Sequence, residues 1–213
     1  MERGVKAVIF DIGGVLQLGD QQRKFQKQKH TSGVHEFVSK KLKINLDQYF
    51  DSIDSAYALS LEGKITKKKL LQIFSKNLQI SSKKIEKLYY NTYKKKYKIN
   101  KQLFRQAFQL KKLGYKIGVL SDQWHLSKEA HIPKKFYKIF NSLVISCEVG
   151  IRKPNPKIYK FLLKKLKLSA KQVLFIDDQK WNIEPAKKLG MKTILFKDNE
   201  KLFKEKIWKG LFK

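Results

Sequence analysis

Cysteine is all but missing from this 213-residue chain: Cys147 stands alone, so no internal disulfide can form. Long apolar runs are missing as well. None approaches the roughly 20 residues that a bilayer-spanning helix needs. The apolar stretch at residues 7 to 16 is too short for a secretory signal, is interrupted by Asp11 and meets no small-residue cleavage site. These absences predict a cytoplasmic protein with no membrane partner. Arginine is scarce too, with Arg3, Arg23, Arg105 and Arg152 the only four among 48 basic residues. Dedicated readers of phosphates and base edges lean on the guanidinium fork, so its rarity counts against a nucleic-acid partner. The histidines, His30, His35, His125 and His131, fall into no metal-ligand spacing.

What the chain has in excess is lysine. The formal net charge is +30, and the hydrophobic fraction of 42% suffices for a folded core. A basic field draws polyanions without regard to sequence. Here, however, the lysines are spread along the whole chain, in "TKKKL", "YKKKY", "PKKF", "LKKLK" and "AKKLG". That spread reads as solvated helix faces rather than a docking groove.

The order of elements predicts the fold class. Residues 5 to 10 read as a short buried strand. Helical periodicity follows in "SGVHEFVSKKL", "LDQYFDSIDSAYALSLEG", "TKKKLLQIFSKNL" and "SSKKIEKLYYNTYKKKY", with Thr66 and Ser81 as N-caps of the last two. From residue 100 helix and strand alternate. "KQLFRQAFQLKKLG" places apolar residues at 103, 104, 107, 108 and 110 and ends on Gly114. "YKIGVLS", "SLVIS", "QVLFIDD" and "MKTILF" read as strands, and "NPKIYKFLLKKLKL" as a helix capped by Asn155 with Pro156 first. "NIEPAKKLG" is the last crossover helix, and the closing "KLFKEKIWKGLFK" is a helix docking Phe203, Ile207 and Trp208 on the core. Such alternation implies right-handed crossovers and an α/β fold, a doubly wound parallel sheet covered on both faces. Residues 1–19 and 99–213 would form that core, and 20–98 a small helical cap inserted after the first strand.

Open parallel sheets bind ligands at the carboxyl ends of their strands. The first strand offers Asp11 there, the second Ser121 with Asp122, and "VLFI" the pair Asp177 and Asp178. Lys153 comes from the loop "EVGIRKPNP" ahead of a helix. Adjacent carboxylates at a buried strand end repel one another unless a cation lies between them. His125, just after Ser121, is a candidate substrate contact, and Cys147 a small buried hydrophobe.

"VIFDIGGVL", "GVLSDQ", "VGIRKPNPKIY" and "VLFIDDQKWNIEPAKKLGM" resemble, in order, the four motifs of the haloacid dehalogenase superfamily. Within it the likeness runs toward bacterial α-D-glucose-1-phosphate phosphatases and the N-terminal phosphatase domain of soluble epoxide hydrolase. The resemblance covers about residues 5–19 and 100–197 and is loose over the helical insertion, where "LEGKIT" fits the family's cap only generally.

The resemblance implies a Mg2+-dependent phosphomonoesterase acting on a small phosphorylated metabolite, such as a sugar 1-phosphate. Asp11 would be the nucleophile and form an aspartyl-phosphate. Ser121 would donate to a phosphoryl oxygen and Lys153 would counter its charge. Mg2+ would be held by Asp11, the Gly13 carbonyl and Asp178, with Asp177 and Asn182 in support. One position departs from the pattern. Most phosphatases of the superfamily carry a second Asp at the site of Gly13, where it protonates the leaving oxygen. Asp122 and Asp20 are the nearest substitutes. The alternative reading is a non-catalytic protein of the same fold that holds an anionic partner, such as nucleic acid, through its lysines.

Overall fold

The computed structural model describes residues 4–19, 33–131 and 134–213. Asp20 and His30 lie outside the described residues. Strand β1 (Ala7–Phe10) is buried along its whole length and turns through glycines into a short β2 (Gln17–Leu18). Four helices follow: α1 (Val34–Leu42), α2 (Leu46–Leu61), α3 (Lys67–Leu78) and α4 (Ser82–Lys96). Strand β3 (Lys98–Ile99) then returns antiparallel to β2. This two-residue ladder is too short to leave a periodic trace in the sequence. It brings the two ends of the insertion together.

Beyond it come α5 (Lys101–Lys112), β4 (Lys116–Ser121), α6 (His125–His131) and a 3₁₀ helix over Lys134–Ile139. β5 (Ser142–Ile145), α7 (Ser146–Val149) and α8 (Pro156–Leu166) lead to β6 (Val173–Asp177). The chain closes with α9 (Lys180–Lys188), β7 (Lys192–Leu195), α10 (Asn199–Lys204) and α11 (Lys206–Gly210). Five strands form one parallel sheet in the order β5-β4-β1-β6-β7. The α/β expectation is met, with β1 at the centre.

Alternation along β1 divides the core into two layers, because successive side chains point to opposite faces. Val8 and Phe10 join the layer under α5 and the C-terminal helices, whereas Ala7 and Ile9 join the layer under α8 and α9. A third apolar cluster belongs to the insertion, where Val38, Tyr49, Leu70, Phe74 and Tyr89 gather around Trp124 and Leu126. The insertion thus builds its own core and closes it with residues that follow β4.

Caps account for several helix starts. Thr66 accepts from Lys69 N–H at 3.2 Å and Asn155 from Lys157 N–H at 3.0 Å. Ser81 holds the N-cap position of α4, but its side chain makes no capping hydrogen bond. Phe108 shares a face of α5 with Phe104 yet is half exposed, and lines with Phe104 and Phe136 a surface groove of about 810 Å³. The C-terminal segment forms two short helices rather than one. Its Trp208 is buried edge-on against Phe10, with ring centroids 6.4 Å apart, while Phe203 and Ile207 pack beside the same layer. Among the described residues no helix is long and apolar enough to cross a membrane.

Candidate active site

The register of the sheet decides what meets what. Phe10 pairs with Val119 of β4 and Ile176 of β6, so three strands end at one level. Asp11 continues the ladder by one bond, its N–H donating to Ile176 O at 2.9 Å. Ser121 ends β4 and Asp177 ends β6, both fully buried. The glycine turn follows at once: Gly14 takes φ 82° and donates its N–H to Gln17 O at 2.8 Å. That turn folds the backbone of Gly13 back beside β2.

Lys153 enters from the loop before α8 and is only 3% exposed. Its Nζ lies 2.6 Å from Asp177 Oδ2 and 3.2 Å from Asp11 Oδ1. Its backbone N–H donates to Asp122 Oδ1 at 3.0 Å. Burial opposes the ammonium charge, but Asp11, Asp177 and Asp122 outweigh it and hold the lysine above its ordinary range. Burial also holds Asp122 above the usual carboxylate range, against the pull of Lys153.

Asp177 is engaged on both oxygens. Oδ1 accepts from Gln179 N–H at 2.8 Å and Asn182 Nδ2 at 3.1 Å, and Oδ2 accepts from Lys153. Such a carboxylate is spent on orienting its neighbours. Asp178 points differently, with Oδ2 accepting from Gln179 Nε2 at 2.8 Å. Burial, reinforced by Asp177, pushes it up to about 6.

Asp11 is the poorly satisfied member. Its Oδ1 sits at ion-pair distance from Lys153 without hydrogen-bond alignment, and is buried with no hydrogen-bond partner among the described residues. Burial pushes its pKa up to about 7; Lys153 and Ser121 pull it down, while Asp177 and Asp178 push it further up. Oxygens of Asp11, Asp177 and Asp178 lie within 4.8 Å of one another. Three carboxylates against one ammonium leave an excess of negative charge in a low-dielectric site. A hard divalent cation fits that donor set, since it would satisfy the orphan oxygen and cancel the excess.

Sequence reasoning brought Asp11, Ser121, Asp122, Lys153, Asp177, Asp178 and Asn182 to one place, and the structure brings them together. His125 is turned elsewhere: its Nδ1 lies 2.8 Å from Ser60 Oγ at the end of α2. Two residues were not foreseen. Gln123 Nε2 donates to Ser121 Oγ at 3.0 Å. Tyr97, at the end of α4, comes near enough to Asp178 and Asp11 that the two carboxylates add to the effect of burial in raising its phenol. Only the polar run "SDQ" inside the second motif hinted at the first, and nothing local marked the second.

Comparison with known proteins gives the family. The bifunctional epoxide hydrolase 2 of Sus scrofa is 34% identical over 113 residues, covering 51% of this chain and 20% of that protein. The matched segment therefore spans about a fifth of that relative's length. A glyceraldehyde 3-phosphate phosphatase of Pyrococcus abyssi is 35% identical over 95 residues, covering 42% of this chain and 38% of that one. Among solved structures, a magnesium complex of a haloacid dehalogenase-family enzyme from Bacteroides thetaiotaomicron superposes with a TM-score of 0.73. It is 22% identical and covers 95% of this chain and 100% of that one. The family model of haloacid dehalogenase-like hydrolases matches residues 5–190, and the chain belongs to that family.

Proposed function

We propose that this hydrolase is a Mg2+-dependent phosphomonoesterase that works through an aspartyl-phosphate on Asp11. The observation that carries the reading is the buried, hydrogen-bond-orphaned Asp11 Oδ1 beside Lys153 and the two acids at the end of β6. Asp11 attacks phosphorus, the bond from phosphorus to the leaving oxygen breaks, and that oxygen takes up a proton. Water then attacks the phosphorus of the aspartyl-phosphate, inorganic phosphate departs and the Asp11 carboxylate is restored. Ser121 donates to a phosphoryl oxygen, and the Lys153 ammonium, fixed by Asp177, offsets charge on the phosphoryl group. Asp177 and Asn182 hold Lys153 and the β6–α9 turn in place. Mg2+ bound by Asp11, the Gly13 carbonyl and Asp178 would neutralise the carboxylates and polarise the phosphoryl oxygens.

Helices α1–α4 act in this reading as a cap over the strand ends, with Tyr97 reaching toward the site from its edge. The substrate class is a small phosphorylated metabolite, with sugar phosphates, including sugar 1-phosphates, first among them. Relatives that are glyceraldehyde 3-phosphate phosphatases support a sugar phosphate as the class, without favouring the 1-phosphate. A reducing, cytoplasmic setting suits a chain whose one cysteine, Cys147, is buried and unpaired.

A screen of phosphorylated metabolites with and without Mg2+ tests the reading. Phosphate release should depend on the metal, stop on chelation and be abolished in Asp11→Asn with the fold retained. Normal turnover by Asp11→Asn would exclude the aspartyl-phosphate route.

A further inference from the structure

Ser121 carries a hydroxyl, and a hydroxyl is useful to a phosphoryl group only if its proton points that way. With one proton and two lone pairs, its rotor is set by its neighbours. Ser121 Oγ is buried and meets the amide of Gln123, itself only 5% exposed, at 3.0 Å. The other end of that amide lies 2.6 Å from Ser127 Oγ on α6. The two distances assign the amide's orientation. A separation of 2.6 Å is ordinary for O–H···O and short for N–H···O, whereas 3.0 Å is ordinary for N–H···O. The amide oxygen therefore faces Ser127, and the NH2 group faces Ser121.

The backbone of Gln123 is fixed as well. Its N–H donates to Ser146 Oγ at 3.0 Å, and Ser146 Oγ lies 3.2 Å from its carbonyl. A donor held rigidly against one side of Ser121 Oγ occupies a lone pair there and offers no acceptor. The Ser121 proton must then turn away from Gln123, at the end of a strand paired directly with the one that ends in Asp11.

We propose that Gln123 is a positioning residue that locks the Ser121 hydroxyl with its proton aimed into the phosphoryl site. The proposal rests on the phosphomonoesterase reading and adds to it a residue that never touches substrate. Ser127 and Ser146 anchor the lock, so the orientation of a catalytic hydroxyl is set by α6 and α7.

The test is a double-mutant cycle on kcat/KM with Mg2+ and p-nitrophenyl phosphate, using Gln123→Leu, Ser121→Ala and the double variant. Gln123→Leu should cost about fivefold to tenfold, the value of one neutral hydrogen bond. That cost should vanish in the Ser121→Ala background. Gln123→Glu, which presents an acceptor to Ser121 and draws its proton away, should cost more than Gln123→Leu and should also lose its effect without Ser121. Ser127→Ala, milder for folding, should show the same dependence at smaller size. Melting curves confirm that each variant is folded. Equal losses with and without Ser121 would overturn the proposal while leaving the phosphatase reading intact. An unaltered protein that neither releases phosphate nor binds inorganic phosphate with Mg2+ would overturn both.

Discussion

Trp124 donates its indole N–H to the Tyr93 hydroxyl at 2.7 Å, tying the loop that leaves Ser121 to helix α4 of the insertion. The indole is 1% exposed, and Tyr57 and Tyr89 stand edge-on to it, each at 4.9 Å between centroids. Tyr93→Phe keeps the ring and removes the only hydrogen-bond acceptor described for this indole. A buried donor left without a partner costs about 1–3 kcal/mol. Urea denaturation should show that loss as a lower midpoint at unchanged slope. An unchanged midpoint would mean that water replaces the phenol.

Gly63 makes a second seam between insertion and core. It sits in the loop between α2 and α3 at φ 64°, and a Cβ there would lie 2.5 Å from the carbonyl oxygen of Cys147 in α7. Neither backbone can yield without moving the insertion. Gly63→Ala should therefore destabilise the protein by about 1–2 kcal/mol, from the left-handed backbone and the clash together. The same variant should raise KM, because in the cap reading it displaces the insertion that closes over the strand ends. Thermal melting and steady-state kinetics check both parts, and unchanged values would show the seam to be soft.

The strand ends were readable in the sequence because burial and chemistry coincide there. Four apolar residues before Asp11, and "VLFI" before Asp177 and Asp178, mark strands that stop at a charge, and a parallel sheet leaves such charges on one edge. Lys153 was different: as one lysine among many it stood out only through the motif around it. The Gln123–Ser127 bond and the Trp124–Tyr93 bond were not readable. Trp124 and Tyr93 are 31 residues apart, and nothing periodic records which helix face meets which loop. Ser81 shows the converse limit, since a residue fit for capping can sit at the cap and leave its hydroxyl unused.

His131 supplies a pH prediction away from the acidic cluster. Its ring is buried edge-on to Tyr93 and Tyr97, and its Nδ1 has no hydrogen-bond partner among the described residues. Burial, helped by Lys94, lowers it to about 3. The folded state thus holds a neutral imidazole, whereas the unfolded chain takes up a proton near the ordinary value of about 6.5. Its contribution is fully present above that value and drains away as pH falls toward 3. Between pH 7 and pH 5 the loss is about 2 kcal/mol. His35, lowered by burial to about 4, acts in the same direction. Asp11 and Asp178, both raised, act oppositely, so the difference between two proteins is the clean reading. Denaturation of His131→Phe and the unaltered protein at both pH values should show the variant losing less stability on acidification. Parallel losses would mean that His131 titrates normally.

Gly13 carries the last prediction. With no carboxylic acid at that position, protonation of the leaving oxygen falls to another group, and Asp122 is the candidate carboxyl among the described residues. Substrates that leave readily should therefore be favoured. A sugar 1-phosphate expels an anomeric oxygen and an aryl phosphate a phenolate, and both should outrun a 6-phosphate with its primary alkoxide. There is room to restore the acid, because a Cβ on Gly13 would meet no heavy atom within 4 Å. Its φ, unlike that of Gly14, lies outside the left-handed region. Gly13→Asp should narrow the gap between good and poor leaving groups, since general acid catalysis is typically worth about 10²–10⁴-fold. The measurement is kcat/KM against leaving-group pKa for both proteins. A steep slope in the unaltered enzyme that flattens in Gly13→Asp is the expected result. A flat slope from the start would mean that Asp122 already delivers the proton, and Asp122→Asn should then make it steep.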